Sequence, residues 1–287
     1  MKRKSTRKKS TTLKIAIQGI AASFHEVAAN SYFSSESIQT VECLNFHVLC
    51  QKLESGEADY AVMAIENSIA GSILPNYFLL QQFHFSIVGE LYLPIHMHLL
   101  GLPGTKLSDV RTIESHPMAI RQCSEFLYSL KGVDIRESDD TALSAKKVSQ
   151  QKSKTIAAIA NERAAKLFGL EIIEKRIETH KKNFTRFLIL SRRTTPPKGS
   201  NKASLSFEVA HAVGSLAEVL MTFKLNKLNL TKIQSIPIIG KPNEYSIHID
   251  VEWKSYGSFH AAVREALHQV RNLNILGEYK KGKIEYR

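Results

Sequence analysis

Hydrophobic residues recur along this 287-residue chain in short runs that switch between two periods. Leu13-Lys14-Ile15-Ala16-Ile17 alternates as a strand does and stops at Gln18-Gly19. From Ser23 the spacing becomes helical, with Phe24, Val27, Ala28 and Tyr32 on one face. Ser23 with Glu26 reads as a capping box. Asn45 stands where it would cap a second helix, which carries Val48, Leu49 and Leu53 and ends near Gly56. Residues 60–65 are a near-continuous apolar run, as in a sheet covered on both faces. Thr112-Ile113 then reads as a strand, and a helix follows Pro117. Asp140 caps a helix through Val148, residues 156–160 form a buried strand, and residues 162–168 a short helix ended by Gly169. This alternation predicts an α/β fold with a mostly parallel sheet. Residues 87–100 read as one long strand with no helix inside it, which is where the chain would cross from one lobe into another.

The Pro- and Gly-containing run at 192–200 has the composition of a linker. Beyond it the pattern changes. Strands are predicted at 203–209, 228–236, 245–251 and 273–279, with helices at 214–225 and 258–267. Leu216, Val219, Leu220 and Phe223 face inward on the first of these helices. The order βαββαβ is the ferredoxin-like arrangement. The expected division is a basic tail over 1–12, a catalytic region over 13–193, a linker over 194–202, a second domain over 203–279 and a short tail over 280–287.

Composition alters this picture little. The net charge of +12 suggests a nucleic-acid partner until its distribution is examined. Seven of the basic residues lie within the first fourteen positions, with no acid among them, and removing them leaves only +5. The charge is a property of a Ser/Thr/Lys/Arg tail, expected to be disordered, so a nucleic-acid role is disfavoured. No apolar run reaches the roughly 18–20 residues of a membrane span, and the basic N-terminus lacks an apolar signal segment. Cys43, Cys50 and Cys123 match neither a disulfide framework nor a zinc site, which favours a reducing cytoplasm.

Candidate chemistry lies in loops that follow strands, since ligands of doubly wound sheets bind at strand carboxyl ends. These loops are Gln18-Gly19, Glu66-Asn67-Ser68-Ile69-Ala70-Gly71-Ser72, Glu114-Ser115-His116-Pro117 and Ser138-Asp139-Asp140-Thr141-Ala142. A fifth polar stretch, Asn183-Phe184-Thr185-Arg186, opens a final strand. Each loop alone reads as a helix cap or turn. Together their hydroxyls, amides and helix N-termini would make an anion site. His116 has no partner at metal spacing, and Cys123 reads as packing. No phosphate-binding glycine loop and no nucleophile elbow is present.

The order and spacing of five motifs resemble prephenate dehydratases. They are Glu66-Asn67-Ser68-Ile69-x-Gly71-Ser72, Ser115-His116-Pro117 with Gln122-Cys123, Asp140-Thr141-Ala142-x-x-Ala145, residues 158–165, and Asn183-Phe184-Thr185-Arg186-Phe187. Gly214-Ser215-Leu216 and residues 229–233 resemble the glycine-leucine helix start and second strand of that family's regulatory domain, called an ACT domain. The resemblance covers about residues 13–279 and suggests the monofunctional form. It implies a two-lobed region resembling periplasmic binding proteins, a phenylalanine-sensing domain and a homodimer or tetramer. It also implies conversion of prephenate to phenylpyruvate with loss of carbon dioxide and water, without cofactor or metal. Thr185 is then the essential residue, expected to donate a hydrogen bond to the departing oxygen rather than to titrate. Asn67, Ser68, Ser115, Thr141, Arg186 and Phe187 become candidate substrate contacts, with Gln122 supporting them, although Arg186 reads equally as a lobe anchor. Gly214, Ser215, Leu216, Asn229, Leu230 and Ser235 become candidate effector contacts. Two departures stand out: Met118 where the family often has glutamine, and Gln234-Ser235-Ile236-Pro237 where it usually has Glu-Ser-Arg-Pro. Arogenate dehydratase and a non-catalytic amino-acid sensor are the alternatives on the same fold.

Overall fold

The computed structural model describes residues 12–193 and 195–284, so the expected tail over 1–12 lies almost wholly outside the described residues. β1 (Leu13–Gln18) buries Ile15, Ala16 and Ile17 completely. α1 (Phe24–Tyr32) follows, with Ser23 Oγ accepting from Glu26 N at 3.3 Å. Only half of the expected capping box forms. The Glu26 carboxylate accepts from Ala22 N at 2.7 Å and pairs with Arg163 instead of returning to Ser23 N. β2 (Ile38–Cys43), α2 (Phe46–Glu54) and β3 (Tyr60–Asn67) come next, and β1 pairs parallel with both strands. Asn45 caps α2 as expected, accepting from Val48 N at 2.9 Å.

After β4 (Gly71–Ser72) comes α3 (Leu74–Phe83), a helix the periodicity did not reveal. Its apolar residues are spread around the axis, the pattern of a helix covered on more than one side. The expected long strand over 87–100 is two strands, β5 (Ser86–Pro94) and β6 (His98–Gly101). The break at 95–97 carries the chain out of the first sheet into the second.

The second lobe contains β7 (Thr112–Ser115), α4 (Pro117–Gln122), α5 (Ser124–Ser129), β8 (Asp134–Glu137) and α6 (Thr141–Gln151). It is completed by β9 (Ile156–Ala160), α7 (Glu162–Phe168) and β10 (Glu171–Glu174). β11 (Phe184–Ser191) returns to the first lobe and inserts between β3 and β5. The sheet orders are β2-β1-β3-β11-β5 and β10-β6-β9-β7-β8. β1–β3 and β7–β9 pair parallel, but β11, β6 and β10 pair antiparallel with their neighbours. The expectation of a mostly parallel sheet is therefore corrected to two mixed sheets. The strands that carry the chain between lobes run against the βαβ direction. The two crossings lie side by side, with Ile95 N donating to Asn183 O at 2.8 Å and Ile177 N to Met97 O at 2.8 Å.

The remaining elements are β12 (Lys202–Glu208), α8 (Ser215–Leu225), β13 (Asn229–Pro237), β14 (Tyr245–Glu252), α9 (Tyr256–Ala266) and β15 (Arg271–Tyr279). They form an antiparallel sheet in the order β13-β14-β12-β15 with helices on one side, the expected ferredoxin-like unit. Its core includes Phe207, Phe223, Trp253 and Phe259. Lys202, expected to end the linker, opens β12 instead, and its buried ammonium contacts Glu90 of β5 at 3.0 Å. The unit packs on the first lobe so closely that a Cβ added to Gly277 would lie 2.0 Å from Ile87 O. Among the described residues, no helix is long and apolar enough to cross a membrane.

Candidate active site

Thr185 is the second residue of β11 and stands opposite Asn67 at the end of β3. Asn67 is 8% exposed and uses both ends of its amide. Its Oδ1 accepts from Ile69 N at 3.0 Å and Ala70 N at 2.9 Å. Those backbone donors identify that end as the oxygen, so Nδ2 must point the other way. Nδ2 donates to Thr185 Oγ1 at 3.0 Å and to Asn183 Oδ1 at 2.8 Å. Asn183 Nδ2 donates to Gln122 Oε1 at 2.9 Å, and Gln122 Nε2 closes the circuit to Asn67 Oδ1 at 3.3 Å. Three amides from the first lobe, the second lobe and the crossing between them therefore form a ring, and Thr185 hangs from it. A closed ring of this kind, with Asn67 and Asn183 buried and Gln122 half-buried, holds each member in one orientation. Asn67 takes up acceptor capacity on Thr185 Oγ1, which leaves the hydroxyl hydrogen to donate elsewhere.

Beside the ring is a cleft of about 610 Å³ lined by Ser68, Ile69, Thr179, His180, Lys181 and Lys182. Lys182 is exposed, whereas the Lys181 ammonium donates to the backbone carbonyls of Arg176 and Glu178. Ser68 is also exposed, and its hydroxyl accepts from Phe184 N at 2.9 Å, which ties the Asn67 loop to β11.

Other expected contacts lie elsewhere. Ser115 is fully buried and donates to Ile159 O at 2.7 Å, so its hydroxyl braces β7 against β9 and is not open to a substrate. The turn is capped by His116, whose Nδ1 accepts from Met118 N at 3.2 Å, with Pro117 at the first helical position. Arg186 is 3% exposed and directed away from the cleft, which corrects its reading as a substrate contact in favour of the anchoring one. It pairs with Glu90 of β5 at 2.7 Å and with Asp250 of β14, and donates to the Tyr279 hydroxyl at 3.1 Å. Strand alternation requires this, since consecutive side chains leave a strand on opposite faces. Phe187 is 1% exposed and packs edge-on against His25 with ring centroids 5.0 Å apart, so it belongs to the core rather than to a substrate surface. Thr141 is buried at the start of α6 and does not join the amide ring. Asp140 beside it faces the first lobe, because a Cβ on Gly19 would lie 2.7 Å from its Oδ2.

Asn183 was not singled out from the sequence as a site residue. The available signal was its amide two positions before Thr185, which acquires meaning only when the crossing brings it between Asn67 and Gln122. Cys123, next to Gln122, is buried, and burial pushes its thiol up to about 12. Among the described residues, no group of three or more His, Cys, Asp or Glu is clustered to hold a metal ion.

The C-terminal unit has its own cavity of about 280 Å³ between the start of α8 and the β13–β14 edge. Leu216 and Ser235 line it, together with His211, Tyr245 and Ile247. Gly214 and Ser215 line the adjoining depression. Asn229 and Leu230 are at the opposite end of β13, about 20 Å from Ser235 along the strand, so one chain does not gather all six expected effector contacts.

The family model for prephenate dehydratase matches residues 15–195. A bifunctional chorismate mutase/prephenate dehydratase from Enterobacter agglomerans is 35% identical over 271 residues, 93% of this chain and 70% of that protein. The prephenate dehydratase of Arthrobacter aurescens, solved in complex with L-Phe, superposes with a TM-score of 0.83 at 25% identity, covering 93% of this chain and 90% of that one. GqqA, described as a novel type of quorum-quenching acylase, superposes with the same TM-score at 32% identity, covering 93% and 98%. The extent of the family match and the similarity along nearly the whole chain establish that this protein belongs to the prephenate dehydratase family.

Proposed function

We propose that the cleft beside the amide ring converts prephenate to phenylpyruvate, with Thr185 as the donor to the departing oxygen. The observation that carries this reading is the direction of the Asn67–Thr185 hydrogen bond. In prephenate a ring carboxylate and a hydroxyl lie across a cyclohexadiene. The bond to the carboxylate breaks and its electron pair enters the ring. The carbon–oxygen bond breaks on the other side, and the oxygen leaves with its pair and takes up a proton as water. Aromatisation supplies the driving force, so the protein must bind a dianion, place a hydrogen-bond donor at the leaving oxygen and limit bulk water. Lys181 and Lys182 at the rim supply positive charge that draws such a dianion in.

An acylase reaction would use Thr185 differently, as a nucleophile that needs a base to accept its proton. The partner at Thr185 Oγ1 is an amide donor, which serves donation by the hydroxyl and not its deprotonation.

Phenylalanine is the proposed effector, seated in the cavity beside Leu216 and Ser235. The proposed assembly is a homo-oligomer. β13 is an edge strand with Thr231, Ile233 and Ser235 exposed, and Met221 and Leu225 are exposed on α8, surfaces that a second copy would cover. Three buried, unpaired cysteines suit a reducing cytoplasm.

The test is to mix purified protein with prephenate and with arogenate in parallel, with and without phenylalanine, and to follow phenylpyruvate and phenylalanine formation. Prephenate turnover is expected to dominate and to respond to added phenylalanine; a large preference for arogenate overturns the substrate assignment. Thr185→Ala is expected to abolish turnover while leaving binding of an unreactive substrate analogue within a few-fold. Retained turnover in that variant removes Thr185 from the reaction.

A further inference from the structure

The strand pair that carries Asn67 and Thr185 has a second face. β3 and β11 run antiparallel with Thr185 opposite Asn67 and, one step on, Arg186 opposite Glu66. Side chains alternate across a sheet, so adjacent cross-strand pairs leave it on opposite sides. Thr185 and Asn67 lie on the face that carries the amide ring, while Arg186 and Glu66 face the C-terminal domain, which holds both. The Lys232 ammonium of β13 contacts Glu66 Oε1 at 2.6 Å and Ser72 Oγ of β4 at 2.7 Å. The Asp250 carboxylate of β14 holds Arg186. Asp250 is itself fixed, its Oδ1 accepting from Ser204 Oγ at 2.5 Å.

The backbone is uneven at the same place. The register of β11 against β3 shifts between Arg186 and Phe187, so Phe187 stands opposite Ala64 and Ile65 is the extra residue. A bulge interrupts the ladder and re-aims the residues beyond it. Asn67 and Thr185 are on the far side of this bulge from the sheet interior. Their separation therefore depends on what holds Glu66 and Arg186 more than it would in a regular ladder.

We propose that Lys232 and Asp250 are positioning residues for the dehydration: by holding Glu66 and Arg186 from behind, they set the spacing of Asn67 and Thr185 in front. The inference rests on the reaction assigned above. It also gives the C-terminal cavity a route to the site. Lys232 is on the strand that carries Ser235, three residues further along, so an occupant that moves β13 moves the ammonium that holds Glu66.

The experiment uses the full chain and the variant Lys232→Met, which keeps the length of the side chain and removes its charge, with Lys232→Arg as the conservative counterpart. Lys232→Met is expected to lower kcat about tenfold or more with KM within about twofold, because small misplacements at a reacting centre cost rate more than ground-state binding. Lys232→Arg is expected to recover most of the loss. Amide hydrogen exchange without substrate is expected to quicken in segments 66–72 and 183–187 of Lys232→Met and to remain at wild-type rates in the core strand β1. Wild-type kcat in Lys232→Met, or a rise in KM alone, overturns the positioning role. Unchanged exchange in the two segments overturns the grip itself, whatever the turnover. Failure of the wild-type protein to convert prephenate overturns the assigned reaction, and the exchange comparison then still decides whether Lys232 holds the two segments.

Discussion

Asn67 determines which way the Thr185 hydroxyl points, and that direction can be reversed with almost no change of shape. Asn67→Asp keeps the acceptor for Ile69 N and Ala70 N but replaces the donor facing Thr185 with a second oxygen. That oxygen would accept the threonine hydrogen and turn it away from the cleft. The expected result is a fall in kcat of about 10²–10³, the range for loss of a preorganised donor at a developing charge. Steady-state kinetics with prephenate check it, and a kcat within threefold of wild type would show that the orientation does not matter. The residues of this arrangement were legible to different degrees. Thr185, Asn67 and Gln122 stand in recognisable polar runs. Asn183 shares the run of Thr185, but nothing in the run marks its amide as part of the site, because its partners are 116 and 61 residues away and meet only where the lobes join. Arg186 and Phe187 share a motif with Thr185 but not its surroundings. Alternation turns Arg186 to the opposite face, and Phe187 lies one pair deeper, under His25. Ser115 misleads for the same reason, since a polar residue at a strand end can be spent on the neighbouring strand.

Elements with a clean period were readable from the sequence, and those between domains were not. β1, α2, β9 and the C-terminal βαββαβ unit follow from alternation and caps. α3 escapes because it is apolar on several sides, and the structure shows why: Tyr77 meets His248 of the C-terminal unit edge-on, and Gln81 Nε2 lies 3.0 Å from His248 Nε2. Burial lowers His248 to about 4, against a smaller opposing pull from Asp250. With a folded pKa below the ordinary value of about 6.5, the unfolded chain takes the proton first. The stability contribution is therefore complete above about pH 6.5 and is lost as the pH falls towards 4. The thermal midpoint is expected to drop by a few degrees between pH 7 and pH 5, and the drop should shrink in His248→Gln. An equal drop in both proteins would assign the acid sensitivity to other groups. β15 gives a second measure of the same interface. Gly277→Ala would place a methyl 2.0 Å from Ile87 O and 2.7 Å from Ile87 C, backbone atoms that cannot rotate aside. A loss of about 1–3 kcal/mol is expected in denaturant unfolding. Gly257→Ala, at an exposed position in the first turn of α9 with only Ser255 Oγ within reach at 3.7 Å, should gain up to about 1 kcal/mol.

At the scale of the whole molecule, the two catalytic lobes meet at a point remote in sequence from the amide ring. Arg163 on α7 of the second lobe makes a two-pronged contact with Glu26 on α1 of the first, at 2.7 and 3.0 Å. Beside it, Asn161 Nδ2 donates to Ala22 O at 2.8 Å. Ala22 is fully buried with φ at +68°, a left-handed conformation that costs an alanine about 1 kcal/mol and persists because its surroundings require it. The hydrogen bond from Arg163 is the main cause that holds Glu26 below its ordinary carboxylate range; burial opposes it. This contribution is full above the unfolded carboxylate value and is lost as the pH falls through the lower folded one. The clasp is therefore intact at neutral pH. Its arginine is half-exposed, so its contribution is about 1 kcal/mol or less. That is enough to shift a closed–open balance about fivefold without threatening the fold. Arg163→Met is accordingly expected to raise KM for prephenate two- to fivefold with kcat nearly unchanged, because a smaller share of molecules is closed before substrate arrives. Glu26→Gln should do the same, and the double variant should be no worse than either single one, because both remove the same contact. Additive losses in the double variant would mean that the two residues act separately and that the lobes are held together elsewhere.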